Sequence, residues 1–146
     1  MGWSAIAMKE SFYYSDMIPQ QPSFNRGIWK KLEELSRDWA IENDSICIVT
    51  GPVLTNALTT IGPNKVSVPK YYYKIILDCS PPEFKGIAFI IPNDASGLPL
   101  KNYAVSINSV EIITGINFFP LLPDIRRIKL KKAGVCLAGT GKNLNR

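Results

Sequence analysis

No histidine occurs among the 146 residues. The side chain that most often serves as a general base near neutral pH is therefore absent, and its substitutes are poor: lysine and tyrosine titrate too high unless strongly shifted, and exposed carboxylates too low. Cysteine is scarce as well. Cys47, Cys79 and Cys136 are widely spaced and odd in number, which argues against a zinc knuckle or a full disulfide set and leaves buried or free thiols as the ordinary reading. No apolar run approaches the roughly 20 residues that cross a bilayer, and Met1 to Phe12 carries no stretch like a signal peptide. The expectation is a soluble chain, without a membrane partner and not exported by its own sequence. Acidic residues are missing from one region only. Arg126 to Arg146 holds seven basic residues and no acid, whereas the rest of the chain has ten basic and twelve acidic residues, a net of −2. The overall charge of +5 is thus a property of the tail, and it does not mark a basic phosphate-binding face on the folded part. The tail would add salt-sensitive attraction to a polyanion, or simply fray into solvent.

What remains is ordinary for a globular domain. Hydrophobic residues at 46% are too many for intrinsic disorder. The length suits one compact domain that buries roughly 70% of its unfolded surface. Ser4 to Phe12 reads as a short helix capped by Ser4, and Tyr13 to Phe24, with Pro19 and Pro22, as loop. The clearest helix is predicted from Asn25 to Ile41, where Ile28, Leu32, Leu35 and Trp39 repeat along one face and Lys30, Lys31, Glu34, Arg37 and Asp38 fall mostly on the other. Ser45 to Val49, Tyr71 to Leu77 and Ile87 to Ile91 read as strands of one sheet, apolar enough for burial on both faces. Pro69, Pro81, Pro82 and Pro92 stand at their edges, where a lost donor does little harm. A second helix is predicted over Ser106 to Thr114, capped by Ser106 or Asn108 and ended by a left-handed Gly115. Beyond Asp124 no periodicity supports structure, and Gly134, Gly139 and Gly141 break the chain up.

The informative segment is Ser15-Asp16-Met17-Ile18-Pro19-Gln20-Gln21-Pro22-Ser23-Phe24-Asn25-Arg26-Gly27-Ile28-Trp29-Lys30-Lys31-Leu32-Glu33. It resembles the central motif of the DNA/RNA non-specific endonuclease family, in which a Ser-Asn…Pro-Gln loop leads into a helix that opens with Asn and continues with Trp, Leu and Glu. Weaker echoes extend to about Asp124: Val49-Thr50-Gly51, Ile61-Gly62, Val66 to Lys74, Ala88-Phe89 with Pro92-Asn93, and Glu111 with Thr114-Gly115 and Phe118-Phe119. The resemblance implies an α+β fold of the ββα-metal nuclease type, a central mixed or antiparallel sheet packed with helices, over residues 1–124. Residues 125–146 would be a basic, poorly ordered tail.

Carried over residue by residue, the resemblance makes Asn25 the ligand of a divalent cation, Mg2+ or a similar ion such as Mn2+. A neutral amide oxygen suits a hard ion that keeps most of its waters. Glu33 would stand behind the ion and orient a bound water, because eight helical residues separate it from Asn25 by about 12 Å of rise. On the residues alone, Asn25 is equally a good helix N-cap and Glu33 an ordinary solvated acid. Gln20 is read as bonding substrate phosphate or loop backbone, with a turn-stabilising role as an alternative. Arg26 is either a phosphate contact or a surface arginine of the first helical turn. Asp16 departs from the family's usual asparagine, placing a carboxylate where an amide is expected. Tyr13, Tyr14 and Tyr71 to Tyr73 are candidates for stacking on bases, but more ordinarily belong to a core or sheet surface.

In the family an Asp-Arg-Gly-His motif precedes this segment and supplies the histidine base. Met1-Gly2-Trp3-Ser4 looks like the continuation that follows that motif. The resemblance therefore implies that the base, and the amino-terminal strands that hold it, lie outside these residues. Truncation, or a frame disruption near residue 125, would account for the change of character at the finish. Loss of the base would cost about 10²–10⁴-fold in rate. The expected function is that of a metal-dependent, sequence-nonspecific endonuclease acting on DNA and RNA, here inactive by itself. The alternative is a non-catalytic module that docks a protein partner or a second copy through an open sheet edge.

Overall fold

The computed structural model describes Ser4 and residues 17–43, 45–78 and 85–120. The expected helix over Ser4 to Phe12, Tyr13, Tyr14, Asp16, Cys79, Cys136 and the basic tail lie outside the described residues, apart from Ser4 itself, and so do the strands expected to precede the Asn25 segment.

The first helical run starts earlier than the sequence suggests. Pro22–Phe24 forms one α-turn with proline at its opening, where the missing N–H is not needed. Asn25–Trp29 is a π-helical turn in which Gly27 departs from helical geometry at φ −98° and ψ −114°. Helix α1 then spans Lys30–Glu42. Two expectations are corrected here. The last three residues of the supposed loop, ending at Phe24, are helical, and Asn25 is not an N-cap: it sits inside the run with its backbone N–H bonded to the Gln21 carbonyl at 2.9 Å. The apolar face is as predicted, with Ile28, Leu32, Leu35 and Trp39 buried. Each contributes roughly 1.5–3 kcal/mol through removal from water. Asn43 ends α1 by turning its own side chain back onto the Trp39 carbonyl at 2.9 Å.

Among the described residues, four strands make an antiparallel sheet in the order β1-β4-β5-β6: β1 Ile46–Pro52, β4 Tyr71–Asp78, β5 Lys85–Pro92 and β6 Ala104–Val105. Between β1 and β4 the chain makes a separate hairpin, β2 Thr59–Ile61 and β3 Val66–Val68, closed by a turn bonded from Lys65 N–H to the Gly62 carbonyl. Strands β4 and β5 are buried on both faces, as expected from their apolar runs. Strand β1 is not. It pairs only with β4 among the described residues, and it is largely exposed there.

Alternation along β4 splits the core in two. Tyr72 and Ile76, with Ile87, Phe89 and Ile91 of β5, face the first helical run and pack on Phe24, Trp29, Leu32 and Trp39. Tyr73 and Ile75 face the other way, onto Val53, Phe118 and helix α2, Ile107–Thr114, through Ile107 and Val110. Helix α2 is capped as predicted: Ser106 Oγ accepts the Ser109 N–H, and Gly115 ends it at φ 70°. Glu111 then accepts the Phe118 N–H at 2.7 Å, which swings Phe118 into an edge contact with Tyr73 at 5.5 Å between ring centroids.

Candidate metal and phosphate site

The loop before Asn25 is held by groups distant in sequence. Buried Asn93, at the end of β5, accepts the Gln21 N–H at 2.8 Å and donates to the carbonyls of Pro19 at 3.2 Å and Pro69 at 3.0 Å. The Tyr72 hydroxyl donates to the same Pro19 carbonyl at 2.9 Å. Burial pushes the Tyr72 phenol up to about 12, so it stays a donor through the neutral range. The loop is thereby fixed to the sheet on either side of Gln20. Gln20 in turn accepts a hydrogen bond from the Asn25 side-chain amide, Nδ2 to Oε1. With its nitrogen committed, Asn25 has its Oδ1 left over as the exposed acceptor.

Asn25, Trp29, Glu33 and Arg37 recur at every fourth position, but only Glu33 and Arg37 share one face of the regular helix α1; Asn25 and Trp29 belong to the π-helical turn in which Gly27 departs from helical geometry. Trp29 is the buried member, in contact with Phe24 and Tyr72 at ring-centroid distances of 5.0 and 5.8 Å. Beyond it, Glu33 and Arg37 border an open cleft of about 300 Å³, together with Ser36, Ala40, Ile48 and Lys74. Ser36 is not a free donor there, because its hydroxyl bonds the Leu32 carbonyl at 2.7 Å. Glu33 has neither a hydrogen bond nor an ion pair among the described residues, so its carboxylate is available to water in the cleft.

Lys74 lies on the helix-facing side of β4, between Tyr72 and Ile76. The register pairs it with Thr50 of β1, and its Nζ donates to Thr50 Oγ1 at 3.1 Å. The same ammonium sits 4.7 Å from the centroid of the Trp29 ring, a cation–π contact. Burial lowers its pKa from the ordinary lysine value; Glu33 opposes that shift and Arg37 adds to it. Of the residues singled out in the sequence, the structure brings Gln20 and Asn25 into direct contact and places Glu33 eight residues on, in α1. Arg26 is exposed and joins neither group. Of the tyrosines, Tyr72 and Tyr73 are core residues on opposite faces of the sheet, while Tyr71 is exposed. Three residues escape sequence reasoning. Arg37 follows Glu33 by one turn, a spacing that could have found it, whereas Lys74 and Asn93 depend on strand register and on contacts across 24 to 74 residues.

Among the described residues no cluster of three acidic, cysteine or histidine side chains could cage a metal ion. An exposed neutral amide oxygen on Asn25 and, eight residues on, the Glu33 carboxylate at the cleft instead suit an ion that keeps most of its waters, so the donors fit a hard divalent cation.

Residues 1–125 match the sequence pattern of the DNA/RNA non-specific endonucleases. The chain belongs to that family. Among the nucleases it resembles, mitochondrial nuclease EXOG of Mus musculus is 32% identical over 158 residues, covering 97% of this chain and 42% of the mouse protein. Mitochondrial endonuclease G of Homo sapiens is 31% identical over 131 residues, covering 81% and 44%. The chain thus spans less than half the length of these two nucleases. A solved structure, that of the EndoG/EndoGI complex, superposes with a TM-score of 0.72 at 30% identity, over 80% of this chain and 54% of that one. The α+β architecture is therefore that of the ββα-metal endonucleases.

Proposed function

We propose that these residues form the ion- and phosphate-binding part of a nuclease that hydrolyses phosphodiester bonds of DNA and RNA without sequence preference. The reading rests on one observation: Gln20 takes the amide nitrogen of Asn25 and leaves its oxygen exposed, while Glu33 and Arg37, eight and twelve residues further on, border an open cleft. Asn25 Oδ1 would hold Mg2+ or Mn2+, which when bound offsets charge on the scissile phosphate. Asn93 and Tyr72 keep the loop in place for that contact. Glu33 accepts hydrogen bonds from water in the cleft, and Arg37 offers its planar donors to phosphate. No histidine among the 146 residues can take the proton from attacking water. The chain by itself is then expected to bind the ion and the strand while cleaving about 10²–10⁴-fold more slowly than a form with a base. The mitochondrial setting of the relatives makes an organellar location the natural one for this chain too, and no described helix is long and apolar enough to cross a membrane.

Purified chain with plasmid and magnesium, alongside Mn2+ binding followed by paramagnetic resonance, tests this. The expected result is cleavage at or near background and Mn2+ affinity that falls about tenfold or more in Asn25→Ala. Vigorous cleavage would overturn the inactive reading, and unaltered Mn2+ binding in Asn25→Ala would overturn the assignment of the ligand. The margin at β1 supports a second reading, a docking module, since that strand pairs on one side only among the described residues and exposes Ile48. A concentration-dependent shift to dimer, abolished by Ile48→Lys, would favour it.

A further inference from the structure

Lys74 occupies a position where an apolar residue would pack. Its neighbours on the same face of β4, Tyr72 and Ile76, are core residues, and it is itself buried. Placing a charge there is costly unless every donor finds a use. An ammonium has three N–H donors. One meets Thr50 Oγ1, and the Trp29 ring face receives the charge from another side. The rest of its capacity has no described acceptor, although Lys74 lines the cleft with Glu33 and Arg37. The charged groups bearing on Lys74 are that carboxylate and that guanidinium. Two cations against one carboxylate leave the cleft with a net positive charge, so its complement is an anion. The remaining wall is Ser36, whose hydroxyl is taken by the Leu32 carbonyl, with Ala40 and Ile48, an apolar pair that suits a sugar better than an inorganic ion. A cleft of about 300 Å³ is at the small end of ligand pockets, sized for one backbone unit.

We propose that Lys74 is a further contact for the backbone of the bound strand at the cleft that Arg37 borders, its ammonium donating to a non-bridging oxygen of one phosphodiester while Thr50 and Trp29 hold it in place. The inference rests on the nuclease reading for the identity of the anion, but it needs neither the ion nor cleavage. Its test therefore uses the full chain without divalent metal. Two probes, inorganic phosphate and a thymidine octanucleotide lacking terminal phosphates, are titrated into 15N-labelled protein.

The octanucleotide is expected to shift the Thr50 and Lys74 amides and the Trp29 indole N–H. Lys74→Met should weaken it about tenfold, the loss of one charge-assisted hydrogen bond, and reduce the slope of log K against log salt by about 0.7. Thr50→Val should weaken it severalfold. Lys31→Met, an equal loss of charge on the exposed side of α1, should leave both shifts and slope unchanged. Binding by folded Lys74→Met within twofold of the parent chain overturns the proposal. So does binding of phosphate without the octanucleotide, which would make this a free-anion site, and so does binding of neither probe. Should Lys74→Met fail to fold, Thr50→Val decides: an affinity equal to the parent's overturns the role of the clamp. Failure of the metal reading is read separately, in the Mn2+ affinity of Asn25→Ala.

Discussion

Asn93 shows how much a single buried amide can organise. Its side chain makes three hydrogen bonds to backbone groups of two different segments, and two of them hold the Pro19-to-Gln21 loop from which Asn25 follows. At about 1 kcal/mol net for each bond, Asn93→Ala is expected to cost about 3 kcal/mol in urea unfolding. Mn2+ affinity should fall with it even where the protein remains folded, because the loop would lose its tie to the sheet. A cost under about 1 kcal/mol would show that the loop is held by other means. In the sequence Asn93 is one polar residue after a strand, indistinguishable from a turn residue. Its partners lie 24 to 74 positions away, beyond the reach of any local pattern. Asn25 and Gln20, by contrast, stand out in the sequence through the motif they share, but their contact with each other does not: the sequence reads Gln20 as bonding phosphate or loop backbone, and it bonds the Asn25 side chain instead.

At the scale of elements, periodicity does well where one face is buried and one is wet. The face of α1 and both caps of α2 follow directly from spacing and from Ser106 and Gly115. It fails at β2 and β3, each three residues long and mostly exposed, where neither alternation nor burial leaves a signal. It fails again for β1, whose apolar residues look like those of a central strand yet lie at a margin. Register is the deeper loss, because it decides which side chains meet across β1 and β4. Gly51 is opposite Tyr73, and a Cβ on Gly51 would come within 2.6 Å of the Tyr73 hydroxyl oxygen. Tyr73 is buried and braced by Phe118, so it has little room to yield. Gly51→Ala is accordingly expected to destabilise by about 1–3 kcal/mol, as overpacking does. A thermal scan showing no loss would mean that the ring moves aside. Because Thr50 lies next to Gly51, a disturbance of this pairing would also reach the Lys74 contact.

For the whole molecule, the two cores on opposite faces of β4 and β5 tie the loop, the helical run and α2 to one sheet. This coupling should be visible in alkaline unfolding. The Tyr72 phenol has its folded pKa raised by burial from 10.0 to about 12. A neutral phenol favoured in the folded state contributes stability that is complete below pH 10 and is lost as pH rises from 10 to about 12. Lys74 acts in the other sense: its lowered folded pKa means that the penalty of burying its charge is relieved as pH climbs toward 10.5. Stability should thus improve slightly approaching pH 10 and then fall. Tyr72→Phe is expected to flatten the fall and Lys74→Met to remove the preceding rise, both measurable by denaturant unfolding across that range. An alkaline limb unchanged in Tyr72→Phe would assign the loss to other groups.

The π-helical turn at Asn25–Trp29 adds a consequence of its own. Such a turn carries roughly one residue more than an α-turn, and each residue of an α-helix rotates its side chain about 100° around the axis. The turn therefore works as a phase setting between the two ends of the site. It fixes the bearing of Asn25 relative to Glu33 and Arg37 without changing a residue at either end. Deleting one residue there would leave every donor in the chain, yet turn Asn25 about a quarter circle relative to Glu33 and Arg37.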